Sequence, residues 1–186
     1  MNADTTVTAI FIKTFTITAT ASTGGTITPT VIAYYGTDAD FTMTPDAYYH
    51  LLDVKADGVS IALVNPYTFT YVTSDHTIEA IYEQDPPDRV TRTIKDNITL
   101  LLSSSFSNPN RQDTLLNKLD AVIALITGGD YLAALDKLQN DILKKTDGCH
   151  NIGHPDNNDW LTNPDCISQS QLYDAIVYLI GRLQEM

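Results

Sequence analysis

The hydrophobic period of this chain changes once. From Thr5 to about Tyr82 apolar residues tend to recur at every second position among Thr, Tyr, Val and Ile, whereas from Ile94 onward Leu, Ala, Asp, Gln and Lys follow helical spacing. The segment between them, EQDPPDR at residues 83–89, carries two prolines and a run of charges that suit neither element. A chain of 186 residues can bury one large core or two small ones, and the change of period at this segment marks a domain boundary.

The first half reads as strands. In KTFTITATAST, residues 13–23, Phe15, Ile17, Ala19 and Ala21 fall on one face and Thr14, Thr16, Thr18 and Thr20 on the other. Gly24-Gly25 offers a tight turn, and strands are predicted over 27–34, 40–44 and 49–55. Asp57-Gly58, between LLDVKA and VSIALV, is a hairpin signal.

A short repeat sets the limits of this domain. Asp4, Thr6, Val7, Ala9, Ile10 and Phe11 match Asp75, Thr77, Ile78, Ala80, Ile81 and Tyr82, every pair separated by the same 71 positions. A step of that length is a whole small domain, so residues 1–12 read either as the terminal strand of a preceding repeat or as a donor strand for another molecule. The expected organisation is then a β repeat over 13–84, a Pro-rich linker over 85–92 and a helical domain over 93–186.

The ordered features of residues 14–84 resemble the divergent internalin-type B-repeat of bacterial surface proteins. They are the alternating first strand, Gly24-Gly25-Thr26-Ile27, TMTPDAYY, Asp57-Gly58 and YTFTYVTSDHTIEAIY, with Ala47 standing where the pattern usually has Gly. The resemblance implies an extracellular spacer or adhesive module and brings no catalytic residues with it.

In the second half Leu115, Leu116, Leu119, Val122, Ile123 and Ile126 form one stripe that Gly128-Gly129 ends. Asp130 is placed to cap a following helix with Leu132, Leu135, Leu138 and Ile142 inward. Helices are also predicted over 94–104 and after Ser168, where Ser-x-x-Gln reaches Gln171, with Leu172, Ile176, Leu179, Ile180 and Leu183 inward. Residues 110–142 resemble the small FIMAH-like helical module that accompanies such repeats, LLNKLDA at 115–121 carrying most of the likeness. The expected fold is therefore two-domain: an all-β repeat with a β-grasp-like or sandwich-like sheet, then four short helices in a bundle.

The two cysteines, Cys149 and Cys166, both lie in TDGCHNIGHPDNNDWLTNPDC, residues 146–166, and in a secreted protein such a pair is expected to form a disulfide. Haem attachment is excluded, because Thr146 stands where its first cysteine must be. Zinc on Cys149, His150, His154 and Cys166 is disfavoured by Gly153 and Pro155, which oppose the helix its histidine spacing needs. Calcium is the better candidate metal, with Asp147, Asp156, Asn158 and Asp159 as oxygen ligands and Asp165 nearby. The competing reading has these residues capping helices and making Asx-turns while Trp160 fills the bundle.

With 11 basic and 23 acidic residues the net charge is −12, and no Lys/Arg cluster interrupts it, so neither nucleic acid nor membrane insertion is expected. No nucleophile, base and orienting group can be assembled, which argues against an enzyme. His50 and His76 read as rim residues, and Asp38 with Asp40 would need a cleft to act as an acid pair. Tyr34, Tyr35, Tyr48 and Tyr49 suit rim packing or stacking on a polysaccharide. Two function classes remain: a structural or adhesive segment whose partners are neighbouring repeats or a protein or glycan ligand, and a filament subunit whose residues 2–11 add a strand to an identical neighbour.

Overall fold

The computed structural model describes residues 11–108, 110–162 and 166–186, in two compact units, Met1–Asp85 and Pro86–Met186. The strands of the first are β1 (Thr14–Ala21), β2 (Gly25–Ile27), β3 (Val31–Tyr34), β4 (Ala39–Phe41), β5 (Met43–Pro45), β6 (Tyr49–Ala56), β7 (Val59–Ile61), β8 (Tyr67–Phe69) and β9 (His76–Gln84). Five make a mixed sheet in the order β3-β1-β9-β6-β7. Its centre is a parallel pair of the first and last strands, and every other pairing is antiparallel, a β-grasp-like arrangement.

The alternation in the sequence decides the faces. Phe15, Ile17, Ala33, Val54, Ile78, Ala80 and Tyr82 point to one side, which the two short ladders β2–β5 and β4–β8 cover with Phe41, Met43 and Phe69. Thr14, Thr16, Thr18 and Thr20 stay in solvent. The strand predicted over 27–34 is broken at Pro29, which cannot donate a ladder bond, and the Ala19 N–H donates to the Thr30 hydroxyl at 3.1 Å. The Asp57-Gly58 turn joins β6 to β7 with φ of 50° and 78°, the positive values a type I′ hairpin requires.

Gly24 and Gly25 do more than turn the chain. Gly24 has φ 100°, and a Cβ there would stand 2.2 Å from the Tyr49 ring, while one on Gly25 would stand 2.5 Å from the Tyr82 ring. Tyr82 completes this corner by donating its hydroxyl to the Thr26 carbonyl at 2.5 Å.

The second unit contains α1 (Pro87–Thr99), α2 (Asn110–Thr127), α3 (Tyr131–Asp136), α4 (Gly148–Ile152) and α5 (Ile167–Gln184). The expected linker over 85–92 is corrected: β9 runs to Gln84 and α1 begins at Pro87, so most of that segment is helical. Proline at the first helical position gives up only an N–H that would be unpaired there, and its φ suits the helix. That start also moves the helix predicted over 94–104 toward the N-terminus.

α2 buries Leu115, Leu119, Val122, Ile123 and Ile126 and stops at Gly129, whose φ is 79°. Asp130 then caps α3 by accepting from the Ala133 N–H at 3.1 Å. The helix continues as a π turn, Lys137–Ile142, and a 3₁₀ turn, Leu143–Lys145. Its inner line is Ala134, Leu138 and Ile142, so Leu132, expected inward, is instead 81% exposed. Successive four-residue steps back from Ile142 reach Ala134 and pass Leu132 by. α5 starts after Cys166 rather than at a Ser168 cap, and Leu172, Ile176, Leu179, Ile180 and Leu183 are buried as expected.

Candidate functional site

β9 is the strand that residues 4–11 repeat, and it occupies the middle of the sheet. Ile78, Ala80 and Tyr82 face the core, and Thr77 and Ile81 face the other way. Its backbone is paired on both sides, with Ile17–Ala21 of β1 and with Tyr49–Ala56 of β6. Just ahead of it the Asp75 carboxylate accepts from the Thr16 N–H at 2.8 Å, so it serves a β1 donor that β9 has not yet reached. Burial pushes the Tyr82 phenol above its ordinary pKa. A strand of this kind is built for a slot with two neighbours. Thr6, Val7, Ala9 and Ile10 lie outside the described residues, and Phe11, expected to pair, is 95% exposed and belongs to no strand.

Among the described residues the sheet's open edges are β3 and β7. The Tyr35 N–H donates to the Lys13 carbonyl at 2.9 Å, which fixes the phase of the β1–β3 ladder. With the observed register, Phe15–Ala33 and Ile17–Val31 are the hydrogen-bonded pairs, and the N–H and C=O of Ile32 and Tyr34 point away from β1. The Tyr34 carbonyl is taken by the Thr37 N–H and hydroxyl, at 3.1 and 2.9 Å. This leaves the Ile32 N–H, the Ile32 C=O and the Tyr34 N–H along the edge.

Val31–Tyr34 line an open cleft of about 220 Å³ together with Thr37, Asp38, Ala39 and Asp40. Asp38 accepts from the Tyr71 N–H at 2.8 Å and Asp40 from the Thr68 hydroxyl at 2.6 Å, each through Oδ1. Neither carboxylate joins an ion pair among the described residues. Tyr35 packs edge-on against Tyr71, with ring centroids 5.9 Å apart, and Tyr34 is exposed beside the cleft. The sequence offered these residues without the edge that unites them, because pairing order is not a local property.

In the helical unit Cys149 and Cys166 are bonded, their Cα atoms 5.6 Å apart across 17 residues. Gln169, which the sequence reading passed over, is 1% exposed beside this bond. Its Oε1 accepts from the Cys149 N–H at 2.7 Å and its Nε2 donates to the Leu161 carbonyl at 3.2 Å. A polar residue on the apolar line through Leu172 and Ile176 was the available signal.

The aspartates proposed for calcium accept hydrogen bonds from their own segment. Asp159, 2% exposed, accepts from the Asp156 N–H at 2.6 Å. Asp156 Oδ1 accepts from the Asn158 and Asp159 N–H groups at 2.6 and 3.0 Å, and Asp147 from the Asn151 amide at 3.0 Å. Among the described residues no group of three or more His, Cys, Asp or Glu side chains is gathered to hold a metal, and Asp165 lies outside them. Trp160 is buried, with Arg111 and Lys118 over its ring.

Both β-unit histidines pair with carboxylates: His50 Nδ1 with Asp85 at 2.8 Å, and His76 Nδ1 with Asp57 at 2.7 Å. His76 also stacks on Phe69 with a centroid distance of 4.7 Å. Its ring, with the Thr77 N–H, holds the Asp57 carboxyl below the ordinary aspartate value.

A small sheet with its first and last strands parallel at the centre, a Gly-Gly corner roofed by tyrosines and an Asp-Gly hairpin define the first unit as a compact β module. It is similar to the divergent InlB B-repeat domain, whose family model matches residues 15–86. The match stops at the start of the helical unit, which carries the disulfide. No curated protein and no solved structure matches the chain significantly. Among the described residues no helix is long and apolar enough to cross a membrane.

Proposed function

We propose that the β unit is one rigid link in a tandem array on an extracellular bacterial protein, and that residues 4–11 are the closing strand of the link before it. The observation that carries this reading is the central slot of β9. Val7, Ala9 and Phe11 stand at the positions of its inward residues Ile78, Ala80 and Tyr82, and Asp4 at that of Asp75, which serves the Thr16 N–H. A copy of a central strand finds all its partners only within a sheet that supplies its own β1 and β6. The same 71-residue step puts the end of β9 at residues 12–13, directly ahead of β1, so successive links would join strand to strand with no loop between them.

Strand addition between identical subunits is less well supported, because in each copy β9 already fills the slot that residues 4–11 would fit. The disulfide is consistent with an oxidising, extracellular setting. The helical unit is read as the accompanying FIMAH-like module.

The test is a chain in which residues 13–74 are fused directly ahead of Asp4, supplying a body for that strand. It is expected to show a second set of protected β amides by hydrogen exchange, and Val7→Asp with Ala9→Asp should abolish that set alone. A fused body that stays unfolded would refute the array.

A further inference from the structure

We infer that the cleft between β3 and β4 binds an extended basic peptide, which adds as a strand to the β3 edge. The inference is independent of the tandem array, because it uses neither residues 4–11 nor β9.

Two features of the cleft converge on this ligand. The first is the backbone. Ile32 N–H, Ile32 C=O and Tyr34 N–H are spaced as one side of a ladder, with no sheet neighbour beyond them among the described residues. Natural edges are blunted by lysine, proline or bulges, but the four residues of β3, VIAY, contain none of these, and Ile32 is 71% exposed. Pro29 limits the edge only at its N-terminal end. A peptide strand satisfies these groups and covers Ile32 in one step.

The second feature is charge. The cleft is also lined by Asp38 and Asp40, each oriented by one hydrogen bond through Oδ1. Residues 14–84 hold eight acidic side chains against the single cation Lys55, so the surrounding field also favours a positive ligand. A strand of alternating lysine and valine would set its amides on β3 and its ammonium groups on the aspartates. The flat Thr-rich sheet face offers no comparable combination.

The test uses the full chain and a fluorescently labelled peptide of alternating lysine and valine. Saturable binding is expected, weakened by added salt, together with slowed amide exchange at Ile32 and Tyr34. Ile32→Pro removes the outward N–H without touching the β1 ladder, a substitution that an edge strand tolerates. It is expected to weaken binding about tenfold, the loss of one hydrogen bond. Asp38→Asn and Asp40→Asn, which keep the acceptors for Tyr71 and Thr68, should each weaken it about threefold and reduce the salt dependence. A glutamate-for-lysine peptide should not bind.

Absence of saturable binding would overturn the proposal, as would binding indifferent to both Ile32→Pro and the paired Asp→Asn changes. Concentration-dependent protection of Ile32 without peptide would instead assign the edge to a second copy of the chain.

Discussion

The two units are held together by different means. The β unit has no covalent link and closes by shape, with Tyr49 and Tyr82 seated on Gly24 and Gly25 and its first and last strands paired at the centre of the sheet. The helical unit packs regular stripes along α1, α2 and α5, but its irregular part, residues 143–162, is tied by one disulfide to Cys166 and by the Gln169 amide. A strand gains a neighbour on each side for every residue it adds, so a sheet can exclude water without cross-links. Short turns of helix and loop bury too little to hold themselves, and there a bond that restricts the unfolded chain has most effect.

The sharpest way to break this comparison is to fill the corner of the β unit. Gly24→Ala combines a φ of 100°, costly for any residue with a Cβ, with a Cβ 2.2 Å from the Tyr49 ring. The strain of a left-handed residue and overpacking together should cost about 4 kcal/mol. Hydrogen exchange read over residues 14–84 should show that protection lost. If the substitution is neutral, shape is not what closes this sheet.

The counterpart in the helical unit is Cys149→Ser with Cys166→Ser. Opening a loop of 17 residues should cost about 3 kcal/mol, and chemical reduction of the native chain should lower the helical transition in circular dichroism equally. The first amides to lose protection should be those around Leu161 and Cys149, where Gln169 makes its bonds. A transition unmoved by reduction would mean that the bundle's stripes suffice.

What was legible in the sequence follows the same division between local and distant contacts. Alternation at Phe15 and Ile17, the Asp57-Gly58 turn, the Asp130 cap and the stripe from Leu115 to Ile126 are each decided within a few residues, and each is found in the fold. The cysteine pair was legible because only two are present. Pro86-Pro87 was read as a linker because proline disrupts helix interiors, although at a helix start it is favourable. The central, parallel position of β9 and the open edge at β3 depend on which distant strands pair, and no local pattern encodes that. Gln169 was hidden for a related reason: its partners, Cys149 and Leu161, come from two separate segments.

The smallest expected effect concerns charge, where the two units are alike. Asp57 in the β unit and Asp141 in the helical unit both have carboxyls held below the ordinary value, Asp57 by His76 and the Thr77 N–H, Asp141 by Lys118 and Lys137, each at 3.0 Å. A carboxylate whose pKa is lowered by folding adds stability that is fully present above its unfolded value, about 3.9, and lost as pH falls through the folded value. Asp57→Asn isolates this contribution well, because Asn-Gly is also a favoured type I′ turn and the amide oxygen can still accept from Thr77. The hairpin should therefore survive, while the part of the acid destabilisation that follows Asp57 disappears. Thermal unfolding of the β unit between pH 5 and pH 2 should accordingly fall less steeply in the variant than in the parent. Because half of the Asp57 side chain is in solvent, the difference should shrink in high salt. Parallel pH profiles for parent and variant would show that the His76 contact leaves no net mark on folding.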